Sequence, residues 1–230
     1  MTTPRIVEVR RNVLKHNDVL AADLRARFRD AGVCVVSLVS SPGAGKTALL
    51  ENLLRELRSR MRVAALVGDL ATENDAARLL RSDVPVHQIV TGTVCHLDAE
   101  MVRTALQHLN LEELDLLFIE NVGNMVCPSS YDLGEDLRFV LMSVTEGEDK
   151  PLKYPTIFNS ADVALITKMD LAVAAEFDSL VAESNIQSVR PGMQTFKLSA
   201  KTQQGMSELL DFICNVRATR VSSQRASVGL

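Results

Sequence analysis

At 230 residues, with 47% apolar and 23% charged side chains, the chain has the length and make-up of one packed globular domain rather than a disordered or fibrous protein. Its formal charge of −4 supplies no basic face for displacing counterions from nucleic acid, and no apolar run is long enough to span a bilayer. The opening "MTTPRIVEVRRNVLKHND" has no leader-like apolar core and the cysteines (34, 95, 127, 214) are too scattered for a secreted disulfide framework, so a cytoplasmic protein is expected, with neither nucleic acid nor membrane as partner.

Along the chain, residues 1–30 place Val13, Leu14, Leu20, Ala21, Leu24 and Phe28 at roughly helical spacing before Gly32, which predicts an N-terminal helical extension of one helix or a pair. Seven apolar runs then follow: "VCVVSLV", "RVAALVG", "HQIV", "LDLLFIE", "RFVLMSV", "DVALITK" and "TFKLS". Runs this continuous and rich in branched residues are expected of strands buried on both faces. Helical stretches are predicted at 46–58, 74–80, 98–109, 171–183 and 205–217, "TEGEDKPLKYPTIFN" reads as a polar loop, and a frayed tail is expected over 221–230. The alternation predicts an α/β fold: a single P-loop NTPase domain over 31–220, with a mainly parallel sheet of about seven strands flanked by helices.

"SLVSSPGAGKTALL" joins a strand to a helix through a glycine-containing loop. In such a loop the backbone N–H groups of Gly43, Ala44, Gly45, Lys46, Thr47 and Ala48 cradle phosphates at the positive end of the helix. Lys46 would reach the β and γ phosphates and the Thr47 hydroxyl would hold magnesium. The first loop position carries Ser40 instead of glycine, a departure in backbone geometry rather than chemistry.

Further along, "ITKMDL" resembles the guanine-reading motif of GTPases. There Asp170 would accept from the guanine N1–H and amine, while the Lys168 stem packs on the base; an ordinary strand-to-helix cap is the other reading of these residues. "LSAKT" resembles the second guanine motif through Ser199, Ala200 and Lys201. The two in order, downstream of the phosphate loop, point to GTP and GDP rather than ATP, because a carboxylate facing the wrong base edge is left desolvated and unpaired.

In "FIENVGN", Glu120 ends an apolar run and Gly123 follows three residues later, resembling Asp-x-x-Gly with glutamate for aspartate. Glu120 is expected near magnesium and the Gly123 N–H near the γ phosphate. "GDLATENDAARL" offers Asp69 and Asp75 as further magnesium candidates, with helix-capping carboxylates as the alternative. Lys46, Glu120 and Gly123 are the catalytic candidates. Asn124 stands where a water-orienting glutamine occurs in Ras-like enzymes, so hydrolysis of GTP is expected to be slow.

Cys95 and His96 adjoin in "TGTVCHLDAEMV", and Cys127 follows the switch glycine in "NVGNMVCPSS". Thiolate and imidazole suit nickel, zinc or copper. On a strand, neighbours point to opposite faces and could not share an ion; on a loop they could. A buried thiol and a satisfied histidine remain the alternative on the residues alone. His16, His87 and His108 have no sequence partners, and Cys34 and Cys214 are expected to be structural.

The ordered set "SSPGAGKT", "GDLATENDAARL", "TGTVCHLDAEMV", "FIENVGNMVCPSSYDLGE", "VTEGEDKPLKYP", "ITKMDL" and "LSAKT", within a likeness that runs over residues 10–215, resembles the hydrogenase-maturation nickel GTPases of the HypB family, in the signal-recognition and MinD-like branch of P-loop GTPases. That resemblance implies a nickel-delivering GTPase for the nickel-iron centre of hydrogenase, a homodimer when GTP-bound, and a nickel or zinc site at Cys95, His96 and Cys127 in the dimer interface. It also implies other hydrogenase-maturation proteins and the hydrogenase large-subunit precursor as partners. Residues 1–30 carry only His16 and no cysteine, so the histidine-rich or cysteine-rich metal-storing segment of some members is not expected. The urease-maturation GTPases are the nearest rival, and their Cys-Pro-His spacing differs from the adjacent Cys95 and His96. A GTP-dependent scaffold without metal is the rival from another class.

Overall fold

In the computed structural model, residues 5–69 and 78–228 are described. All seven predicted strands form: β1 (Cys34–Ser40), β2 (Val63–Asp69), β3 (Val86–Val90), β4 (Leu116–Glu120), β5 (Leu137–Ser143), β6 (Val163–Thr167) and β7 (Gln194–Lys197). They make one sheet in the order β3-β2-β4-β1-β5-β6-β7. Every pairing is parallel, with β1 in register against β4 (Ser37 opposite Ile119) on one side and β5 (Ser37 opposite Arg138) on the other.

Alternate residues of each strand go to opposite faces, so a strand buried on both faces must be apolar throughout. On one face Val36, Leu38, Ala65, Phe118 and Leu141 pack under α2 (Lys46–Leu57), through Leu49, Leu50, Leu53 and Leu54, and under α7 (Met206–Val228), through Leu209 and Ile213. On the other, Val35, Leu66, Leu117 and Ile119 meet α1 (Arg5–Asp30) and α3 (Ala99–Ala105). Toward β6 that same face is covered by α4 (Lys150–Lys153), α5 (Pro155–Ser160) and α6 (Ser179–Val189), whose core residues include Ile157, Phe158, Ala182 and Ile186.

Several expectations shift. The N-terminal segment is one helix, and Ala21, Leu24 and Phe28 are buried in the sheet's own core, so it packs as a layer of the domain. The segment expected to be a polar loop holds α4 and α5, each with proline near its start, and Ile157 and Phe158 are fully buried. The helix expected over 171–183 runs Ser179–Val189, because Asp178 accepts from Leu180 N and Val181 N and thereby sets its start. Beyond Val221, where a tail was expected, α7 continues to Val228.

Candidate functional site: a nucleotide pocket beside a thiol-imidazole cluster

The C-terminal strand ends Ser40, Asp69, Glu120 and Thr167 gather at one edge of the sheet, the edge where parallel α/β sheets bind ligands. Between β1 and α2 the chain turns through Gly43 and Gly45, whose φ angles of 76° and 96° are disfavoured for any residue with a Cβ. Ser40 has no such angle, which is why the missing glycine does not disturb the loop. No side chain caps α2, so its first N–H groups are left to a ligand. Around this turn lies a cavity of 390 Å³ bounded by Gly43, Lys46, Thr47, Asp69, Glu120 and Gly123.

Within it, Lys46 is buried and its Nζ donates to Ser40 Oγ at 2.9 Å, while Ser40 Oγ also donates to Ser41 O. Thr47 Oγ1 donates to Glu120 Oε1 at 2.7 Å, bringing the hydroxyl and carboxylate expected near magnesium together. Asp69, at the end of the adjacent strand β2, stands on the same wall. This set of hydroxyl and carboxylate oxygens is the donor chemistry magnesium takes. Asp75 lies outside the described residues. Arg78, to which the sequence reading of "GDLATENDAARL" gave no role, also lines the cavity and pairs with Glu51 of α2 at 2.6 Å.

A second cavity of 250 Å³ adjoins the first at Gly45 and Ala48 and is bounded by Lys168, Asp170, Ser199, Ala200 and Lys201. Lys168 adopts φ 60° and its Nζ donates to the Gly43 carbonyl at 2.7 Å, so its stem runs over the phosphate loop. Ser199 Oγ donates to Asp170 Oδ1 at 2.6 Å, and the Ala200 carbonyl is held by Asn52 and Gln203. Thr167 Oγ1 donates to the Ala44 carbonyl at 2.6 Å and locks the phosphate loop to β6. The two cavities thus adjoin along the phosphate loop and the start of α2.

Beyond the phosphate end, Cys95, His96 and Cys127 each offer a ligand atom, all within 4.8 Å of one another, and each residue is half-buried. Cys95 and His96 lie in a loop and Cys127 opens a short 3-10 turn, all outside the strands, which removes the strand-face objection to neighbouring ligands. The thiols are unbridged, with Sγ atoms 3.1 Å apart. Two thiolates bound at about 2.3 Å to one ion stand about 3.3 Å apart at a right angle and about 3.8 Å apart at a tetrahedral one, so a shared ion would hold this pair slightly further apart than it stands. His96 Nδ1 is buried with no hydrogen-bond partner, burial pushes the imidazole pKa down toward the neutral, ligating form, and its ring lies 4.0 Å from that of Tyr131. Among the described residues no other such cluster occurs.

The cluster is braced by residues that motif reading passed over. Asn17 of α1, almost fully buried, donates to Asp132 O and accepts from Ala99 N, spanning the two loops from outside. Arg138 and Glu135 form a buried pair beneath the Cys127 loop. Asn124, which stands where Ras-like enzymes carry the water-orienting glutamine, directs its amide to Cys95 O and to Val126 N and Cys127 N. Elsewhere His16 is exposed, Cys34 is buried with its thiol pKa pushed up by burial, and Cys214 packs against the core. His87 and His108, unpartnered in sequence, stack with centroids 5.7 Å apart at the opposite end of the sheet.

An all-parallel sheet with a strand–glycine loop–Lys-Thr–helix junction, open at the strand ends, defines a P-loop nucleotide-binding protein. The sequence profile described as CobW/HypB/UreG, nucleotide-binding domain, matches residues 34–197. The hydrogenase maturation factor HypB of Azotobacter vinelandii is 44% identical over 97% of this chain and 74% of its own length. HypB from Helicobacter pylori, solved in complex with nickel, superposes with a TM-score of 0.85 at 40% identity, covering 89% of this chain and 96% of that one. The hydrogenase maturation factor HypB of Archaeoglobus fulgidus gives 0.83 at 35% identity, covering 88% and 99%. The chain belongs to the HypB family of hydrogenase maturation factors.

Proposed function

We propose that the chain is a GTP-hydrolysing metallochaperone that delivers nickel during assembly of the nickel-iron centre of hydrogenase. The observation that carries this reading is the juxtaposition of the nucleotide trough with the Cys95, His96 and Cys127 cluster, Cys127 lying four residues after Gly123. Nickel is the cargo, and zinc, which takes the same donors, competes for it.

In this reading the first N–H groups of α2 and the Lys46 ammonium, released from Ser40, hold the β and γ phosphates. Asp170 accepts from the guanine edge, with Ser199 fixing its carboxylate and Lys168 walling the base. Thr47, Glu120 and Asp69 would hold magnesium, which when bound neutralises phosphate charge. The Gly123 N–H meets the γ phosphate. Because the Asn124 amide is committed to backbone groups of the metal loops, it is poorly placed to orient an attacking water, which supports slow hydrolysis. GTP binding favours a homodimer that shares the metal centre, and Val126, 63% exposed beside Cys127, offers apolar surface for such a contact. Hydrolysis loosens the pair and permits transfer to other maturation proteins and the hydrogenase large-subunit precursor. A cytoplasmic setting accords with there being, among the described residues, no helix long and apolar enough to cross a membrane.

The test is nickel and zinc stoichiometry for the full chain and for Cys95→Ala, by equilibrium dialysis with metal analysis. Loss of the stoichiometric ion in the variant is expected; unchanged binding would sink the assigned centre. Sedimentation with GDP and with a nonhydrolysable GTP analogue should give a tighter dimer with the analogue, and equal constants would remove the coupling.

A further inference from the structure

Loops outside a sheet must satisfy their backbone groups with side chains or water. Between the loops carrying Cys95 and Cys127, asparagine amides supply the cross-links. Asn121 Oδ1 accepts from Leu97 N at 3.0 Å and from Val122 N at 2.9 Å. Asn124 Nδ2 donates to Cys95 O at 3.2 Å, while its Oδ1 accepts from Val126 N at 2.8 Å and Cys127 N at 3.4 Å. A single planar group therefore touches the backbone of both cysteines. The amide both donates and accepts here; aspartate keeps the acceptors and loses the donor.

One residue earlier, the chain abuts the phosphate loop. A Cβ added at Gly123 would stand 2.9 Å from Pro42 Cα and 3.0 Å from Pro42 N, so at this point only a glycine lets the two backbones approach. The resulting contiguous path runs from Pro42 to Gly123, through one peptide to Asn124, and from its amide to Cys95 and Cys127. We propose that Asn124 is a positioning residue: it sets the spacing and aim of the two thiols and passes to them any displacement of the phosphate loop. This rests on the metal-binding reading above and names the residue through which nucleotide state reaches the metal. Partners that orient metal ligands without touching the ion typically matter about 10- to 100-fold in affinity, which sets the size of the expected effect.

The test titrates Ni²⁺ against a chromophoric chelator and follows the thiolate-to-nickel charge-transfer band, with magnesium and either GDP or a nonhydrolysable GTP analogue present. Asn124→Ala should lose about 10- to 100-fold in nickel affinity, show an altered band, and bring the ratio of affinities in the two nucleotide states toward one. Asn124→Asp, which retains the bonds to Val126 N and Cys127 N but not the donation to Cys95 O, should fall between. Asn110→Ala, which removes a distant turn cap, is the stability control. Wild-type affinity and band in Asn124→Ala, or an equal affinity loss in Asn110→Ala, would overturn the proposal. If wild type itself bound no nickel, the metal reading would fall and this proposal with it. A wild-type ratio of one would instead remove only the nucleotide coupling, in the reading and in the proposal alike, while the Asn124→Ala affinity still decided the positioning role.

Discussion

Replacing Arg138 by alanine should destabilise the protein by more than most single substitutions. The Arg138 and Glu135 side chains are only 9% and 6% exposed, and their closest atoms lie 2.7 Å apart. Arg138 also donates to Tyr131 O at 2.7 Å, Pro128 O at 3.4 Å and Ser160 Oγ at 3.3 Å. With the guanidinium gone, the Glu135 carboxylate keeps, among the described residues, hydrogen bonds from Ser37 Oγ–H and Leu133 N–H, while the half-buried Tyr131 carbonyl loses this donor and the Pro128 carbonyl is left with Tyr131 N. Breaking a buried pair from one side costs about 3–5 kcal/mol, since an uncompensated charge is left behind. For a domain of this size that corresponds to a fall in Tm of about 6–20 °C, read by calorimetry at neutral pH. The double variant Glu135→Gln with Arg138→Met should recover part of the loss, because no buried charge is left. A Tm for Arg138→Ala within about 2 °C of the parent would refute the reasoning, since a shift that small corresponds to no more than about 1 kcal/mol.

Three further outcomes are expected. Asn17→Ala leaves Ala99 N and Asp132 O without their partner, which should cost about 2–4 kcal/mol in a urea titration; an unchanged midpoint would show that water replaces the amide. Gly123→Ala drives a methyl into Pro42 backbone, costing about 1–3 kcal/mol, and should weaken a GTP analogue more than GDP in fluorescent-nucleotide titrations; equal weakening would remove the γ-phosphate role. At Asp132 burial raises the carboxyl pKa, but the Arg25 guanidinium and the Gly134 N–H outweigh it and hold the value below the usual 3.8. A carboxyl depressed in the folded state stabilises fully above its unfolded pKa, and that contribution is lost as pH falls through the folded value. Asp132→Asn should therefore flatten acid destabilisation below about pH 4; an identical acid limb would count against the tether between α1 and the Cys127 loop.

The seven strands were legible because burial on both faces forces an unbroken apolar run, and the phosphate loop because it ties chemistry to a fixed local spacing. Helix starts were less so. Asp178 caps α6 eight residues after the strand-end motif at Asp170, and apolar periodicity alone placed that helix too early. The paired prolines and Phe158 marked α4 and α5, but their charged setting disguised them as loop.

By itself the sequence determined the α/β class and the phosphate loop and offered two guanine-motif look-alikes and three soft-donor side chains as candidates, since each is a local pattern of residue types. Only the tertiary structure decided that Cys95 and Cys127, 32 residues apart, meet at 3.1 Å. It also decided that Asn17, Asn124 and the Arg138–Glu135 pair brace that meeting. The physical reason is that a hydrogen bond between distant loops leaves no periodicity behind. It exists only because α1 packs into the sheet's core and β1 lies between β4 and β5, bringing backbone groups far apart in sequence within reach of one amide or one guanidinium.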